Sequence, residues 1–141
     1  MIDPLEAVIN YALADADLNA LIAQRVAARH KFGVKGSTGW PVPSAALQLR
    51  FDGGGTPDIN TRRMRLRLEA RCYGESQAAA FQVYARLIAL TRRSTRVLAQ
   101  ANGVTALIDY LLPDSGPSFI QDPAAGVDAV LVFLKTAVAE Q

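Results

Sequence analysis

From residue 63 to residue 73, apolar and charged side chains alternate without a slip. Met64, Leu66, Leu68, Ala70 and Cys72 fall on one side, and Arg63, Arg65, Arg67, Glu69 and Arg71 on the other. A period of two is that of a strand with one buried face. Ala45, Leu47, Leu49 and Phe51 repeat it just upstream. The glycine-rich stretch 52–61 between them predicts a long hairpin loop joining two antiparallel strands.

Elsewhere the period lengthens. Asp3 as cap, Pro4 at the first position and Glu6 three residues on predict a helix ending near Ala14. Its apolar face holds Leu5, Val8, Ile9, Ala12 and Leu13. A shorter helix restarts at Asp15 or Asp17, with Leu18, Leu21, Ile22 and Val26 on one side. Gly74 ends the charged strand, and Ser76 caps a third helix to about residue 93. Ala78, Phe81, Tyr84, Ala85 and Ile88 form its wide apolar face, expected to lie against the sheet. Residues 104–112 hold enough branched and aromatic side chains for a strand. Residues 127–138 are nearly all apolar, and Val130, Val132 and Phe133 favour a strand there. Glycine, proline and serine mark residues 33–44 and 113–126 as loops. Residues 27–32 and 94–102 stay undecided, the latter with a helical extension stopping near Asn102 and Gly103 as one reading.

The expected fold class is therefore α+β: a four-stranded antiparallel or mixed sheet with helices packed on one face. The 141 residues suit one domain, 1–141, with long loops at 33–44 and 52–61. Half the residues are hydrophobic and a fifth charged, an ordinary globular balance. One cysteine excludes a disulfide framework within the chain and favours a reducing compartment. No apolar run reaches about 18 residues, so no membrane span is expected. The start, MIDPLEAV, lacks the basic opening of a secretory signal.

The net charge of +2 is unevenly spread. Residues 50–96 carry ten arginines against four carboxylates, a balance of +6; residues 97–141 carry one lysine against five carboxylates, a balance of −4. A basic middle and an acidic end can pair within the fold, or head to tail between copies.

Catalytic chemistry is hard to find. His30 is the only histidine and cannot build a zinc site alone. Cys72 has no local base and lies on the apolar side of its strand. The stretch 52–58 lacks the lysine and following helix of a phosphate-binding loop. Residues 36–39 lack the strand–turn–helix setting of a nucleophile elbow. The expectation is no enzyme, no metal and no cofactor. Trp40, between Gly39 and Pro41, either tucks onto its own domain or anchors an interface. The arginine side of the charged strand meets water, or needs something acidic opposite it: another subunit's carboxylates or a nucleic-acid backbone. Pairing between subunits is the favoured account. The candidate interface residues are Trp40, Arg63, Arg65, Arg67 and Arg71, with Asp52, Asp58, Asp114 and Asp122 as acidic partners.

The order of segments resembles the tail terminator, or tail completion, proteins of long-tailed bacteriophages and phage-like particles. The matching pieces are the capped helix DPLEAVINYALAD leading into ADLNALIAQRV, the extended segment GWPVPSAALQLR, the strand RRMRLRLEARCYG running into ESQAAAFQVYARLIAL, and the closing GPSFIQDPAAGVDAVLVFLKTAV. The likeness covers nearly the whole chain as a pattern of residue type and order. It implies a non-enzymatic virion protein, forming a ring, typically of six copies, on the head-proximal end of the tail tube. The implied partners are other copies of the chain, the tail tube protein and the head–tail connector or stopper. DNA passes through the lumen without specific binding, and no membrane is involved. Another head–tail connector, a minor tail protein, or a small nucleic-acid-binding module using the arginine strand are the alternatives. The family carries no residue-level motif, so the candidate residues rest on the physical reading alone.

Overall fold

The structure, a computed structural model, describes residues 2–53, 57–58, 63–123 and 125–141, with the backbone alone described for 57–58. Three helices and seven strands follow in the order α1 (Pro4–Leu13), α2 (Ala16–Ile22), β1 (Val26–Ala27), β2 (Ala46–Phe51), β3 (Pro57–Asp58), β4 (Arg63–Gly74), α3 (Gln77–Thr91), β5 (Thr95–Ala101), β6 (Val104–Asp122) and β7 (Val127–Glu140). Caps start the helices. The Asp3 carboxylate accepts from the N–H groups of Leu5 and Glu6 at 3.0 and 3.3 Å. Asp15 accepts from Leu18 at 2.9 Å, and Ser76 from Ala79 at 3.2 Å. Each satisfies donors that the first helical turn leaves unpaired. Ala23 and Gln24, both in the left-handed region, stop α2.

The strands form one curled sheet in the order β1-β2-β4-β7-β6-β5, with β3 paired to the start of β4. β1 runs parallel to β2 and the other pairs are antiparallel. This corrects the four-stranded expectation. The added strands are β5 and the two-residue pieces β1 and β3, and β6 is longer than expected. Within the undecided stretch 94–102, residues Thr95–Ala101 form strand β5. Residues 113–122, expected as a loop, continue β6 through three register shifts. Pro113, Gly116 and Pro117 are tolerated there for a local reason. β5 pairs with β6 only as far as Tyr110, so the later half of β6 has no paired strand on its outer side among the described residues. Proline is at home on such an edge and at bulges. Gly116 sits at φ +106°, where a Cβ would meet the Leu131 carbonyl oxygen at 2.9 Å. Of the loop expected over 52–61, residues 54–56 and 59–61 lie outside the described residues, and Pro57–Asp58 form β3.

The main core lies on the helix side of the sheet. Leu66, Leu68, Ala70 and Cys72 of β4 meet Val130, Val132, Leu134 and Val138 of β7 there, with Val8 and Ala12 of α1, Leu18 and Ile22 of α2, and Val83 and Leu87 of α3. α1 also covers the outer margin of β5. Asn10 Nδ2 donates to the Gln100 carbonyl at 2.7 Å, and the Asn102 N–H to Glu6 Oε1 at 3.4 Å. An otherwise open sheet edge is blunted that way. The buried stripe of α3 is Ala80, Val83, Leu87 and Leu90. The stripe expected to be buried is turned outward: Ala78, Phe81 and Ala85 are exposed, and Tyr84 and Ile88 only partly covered. α3 is apolar on two sides, and periodicity alone did not choose the one that wins.

β4 passes flat beneath the start of α3. A Cβ at Gly74 would lie 2.2 Å from the Ala80 nitrogen. Backbone cannot yield as a flexible side chain does, so Gly74→Ala should lower the unfolding free energy by about 3 kcal/mol. Urea denaturation of the purified variant checks this. An unchanged midpoint would contradict the close helix–strand approach.

Candidate functional site

The second face of the sheet carries the odd-numbered residues of β4. On β7, no acid stands opposite its arginines. β7 lies between β4 and β6, and β7 presents Ala139, Ala137, Lys135, Phe133, Leu131 and Ala129 to this face. The guanidinium groups reach across β7 to aspartates on β6. Arg63 Nε lies 2.9 Å from Asp109 Oδ2, an ion pair by distance without hydrogen-bond alignment. Arg67 Nε lies 3.2 Å from Asp114 Oδ2, in the same manner. Arg67 Nη2 also donates to Ser115 Oγ at 3.2 Å, Nη1 lies 3.7 Å from Asp52 Oδ2, and the guanidinium carbon sits 4.3 Å above the Phe133 ring. Only a long side chain with a planar fork can span a strand and hold several partners at once.

Bulges aim the acids. The register of β6 against β7 skips at Asp109, between Ile108 and Tyr110, and at Asp114, between Pro113 and Ser115. An extra residue in one strand re-aims its side chain. Asp109 and Asp114 are those extra residues, turned to the arginine face. A charged residue inside the apolar run 106–112 was the available signal for Asp109, which the sequence reading passed over.

At the other end of β4 the pairing is buried. Arg71 Nε donates to Glu69 Oε1 at 2.6 Å, and Arg71 Nη1 to Asp122 Oδ2 at 2.7 Å. The Tyr73 hydroxyl donates to Asp122 Oδ2 at 2.8 Å and lies 3.3 Å from Gln48 Oε1, which accepts from the His30 N–H at 3.0 Å. The Ala125 N–H donates to Asp122 Oδ1 at 3.3 Å. Around this network lies a second small core of Phe32, Trp40, Tyr73, Ala46, Ala125, Val127 and Ala129. The charged face was expected to lie outside any core; its Tyr73 end is core. Burial alone would lower the Arg71 pKa, but the bonds to Glu69 and Asp122 more than offset it, and the net shift is upward. Burial alone would raise Asp122, yet the Tyr73, Arg71 and Ala125 donors hold it below the usual carboxylate range. Burial, with the bond to Asp122, pushes the Tyr73 hydroxyl up. Burial also pushes up the Cys72 thiol, which is fully enclosed.

The candidate residues separate accordingly. Arg63, Arg67 and Arg71 find carboxylates in their own chain, where a second subunit had been the favoured source. Asp52, Asp114 and Asp122 all join this face. Arg65 is exposed and has no ion pair among the described residues. Of Asp58 only the backbone is described, opposite Arg63 in β3; its side chain lies outside the described residues. Trp40 is 8% exposed and packs edge-on against Phe32 at 5.3 Å, so it tucks onto its own chain. His30 Nδ1 is buried with no hydrogen-bond partner among the described residues. Among those residues no cluster of His, Cys, Asp and Glu is placed to hold a metal ion. Among the described residues no helix is long and apolar enough to cross a membrane.

Compared with known proteins, the chain has relatives in shape alone. No protein-family profile and no curated protein matches the sequence. Among solved structures it is similar to a chain described as belonging to the virion of a native gene transfer agent particle. The identity is 15%, the TM-score 0.63, and the match covers 96% of this chain and 93% of that one. A second solved chain is 18% identical with a TM-score of 0.52, over 96% of this chain and 89% of that one. These likenesses establish a shared fold across nearly the full length.

The buried network generates a pH-dependent stability. Asp122 has a lower pKa folded than unfolded, so its contribution is fully present above the unfolded value near 4 and fades as pH falls through the folded value. Asp122→Asn leaves Arg71 with Glu69 alone and weakens the bonds that Arg71 and Tyr73 make to Asp122, which should cost about 2 kcal/mol at pH 7. Thermal melts between pH 7 and pH 3 check both points. The variant should start lower and lose less on acidification than the parent; parallel curves would rule Asp122 out as the acid-sensitive group.

Proposed function

We propose that this chain is a structural subunit of a phage-like virion, and specifically a ring-forming tail terminator. In this reading the ring, of about six copies, caps the head-proximal end of the tail tube and joins it to the head connector. The chain acts without catalysis, beside the tail tube protein and the connector, in particles assembled in the host cytoplasm. The observation that carries the reading is the two-way coverage of the fold match to a virion chain, 96% and 93%. The order of segments that resembles the tail terminators supports the finer assignment. A nucleic-acid-binding role on the arginine strand has less support, because Arg63, Arg67 and Arg71 are already neutralised within the chain.

Size-exclusion chromatography with light scattering and negative-stain electron microscopy test this on the full chain, alone and with purified tails lacking their cap. The expected outcome is rings with a central hole, or capture of the protein at one tail end. A chain that stays monomeric at high concentration and never joins tails overturns the assignment.

A further inference from the structure

α3 leaves an apolar strip unpartnered. Ala78, Phe81, Gln82 and Ala85 run along its outward side, and Phe119 of β6 stands beside them, its ring 6.2 Å from that of Phe81 and nearly parallel to it. Phe81 is 45% exposed and Phe119 51%. Gln77, Ala78, Phe81, Gln82 and Phe119 line an open groove of about 470 Å³. The outer backbone edge of β6 at residues 118–122 has no paired strand among the described residues. A helix that is apolar on both sides belongs between two partners. The core supplies one, and the groove side lacks the other. Its rim is acidic. Glu75 immediately precedes the helix cap Ser76, and Asp128 lies opposite Gly74 and Gln121 in the sheet register.

The complementary surface is on the same chain, on the far face of the sheet. Residues 18–51 contain no Asp or Glu. Within them, loop 33–44 exposes Val34 at 48% and Val42 at 55%, beside the exposed Lys31 and Lys35. Trp40 and Phe32 pin this loop against Tyr73, on the side of the sheet opposite α3. It therefore cannot fold back into its own groove. We infer that the Phe81–Phe119 groove receives loop 33–44 of a second copy, with Val34 and Val42 on the apolar floor and Lys31 and Lys35 against Glu75 and Asp128. Different patches meet in such a contact, so it repeats head to tail and closes into a ring when the rotation allows. The inference rests on the ring reading above and names the surfaces that would close the ring.

The test uses the full chain in three arms. Phe119→Ser and the charge reversal Glu75→Lys should each shift the ring-to-monomer transition to about tenfold higher concentration or more. Lys35→Glu should do the same, and combining it with Glu75→Lys should recover assembly. Val42→Cys and Phe119→Cys should form a disulfide-linked dimer under mild oxidation only when the two variants are mixed. Cys72 is fully buried and gives no background in that assay. Thermal melts of the variants should match the parent, since the changed residues are exposed. Rings that tolerate these changes, with no crosslink in the mixture, overturn the groove assignment and leave the ring reading standing. Rings that persist while Phe119→Ser loses only its attachment to tails give the groove to a different protein, and also overturn it. A parent chain that never assembles overturns both.

Discussion

A single strand with two demanding faces governs this molecule. β4 hides Leu66, Leu68, Ala70 and Cys72 beneath the helices and turns four arginines and a glutamate to the other side. Four like charges along one face repel unless something neutralises them. The neutralising groups come from β6, one strand removed, and guanidinium groups cross β7 to meet them. β6 must be bulged at Asp109 and Asp114 to turn its carboxylates the right way. It must also extend to Asp122 so that Arg71 and Tyr73 are satisfied where the face becomes core. The length of β6, its irregular register and the second small core all follow from that one requirement.

Local signals were legible wherever one physical cause acted alone. The caps Asp3 and Ser76 and the alternation of β4 reported themselves directly, because a cap or a period is a property of neighbouring residues. The fold failed to be legible where a distant partner decided. Pro113, Gly116 and Pro117 signal a loop to any local rule, and only the missing neighbour beyond Tyr110 makes a strand possible there. Residues 95–101 carry one arginine, a leucine, a glutamine and two alanines that suit helix as well as strand, and pairing with β6 settles them. In α3 both candidate stripes were apolar, and packing on Val130 and Leu68 chose Val83 and Leu87 over Phe81. Most of the candidate residues lie on one face, where the basic middle of the chain meets its acidic end. Segregated charge has two readings, within a chain or between chains, and the distances decide for the first at Arg63, Arg67 and Arg71.

That outcome alters where a partner surface should be sought. The arginine ladder is largely occupied by its own acids, and Trp40 is spent on holding loop 33–44 in place. Unsatisfied surface lies elsewhere: in the outward side of α3, in Phe119, and in the valines of the acid-free loop. Ladder and loop are connected all the same. The buried Arg71–Asp122–Tyr73 network and the aromatic cluster of Phe32 and Trp40 form the seat from which the loop projects, so charge pairing inside the chain presents an apolar tip outside it.

The one-sided attachment of β6 sets an order of fraying. Up to Leu111, whose amide still donates to the Ser94 carbonyl, β6 lies between two neighbours; beyond that point β7 is its one paired strand among the described residues. Amide hydrogens of β7 should therefore be sheltered along its whole length, whereas those of the later half of β6 open in small excursions that leave the helical layer intact. Asp122 fastens the far end, so the segment between the two anchorages behaves as a tethered ribbon rather than a loose tail.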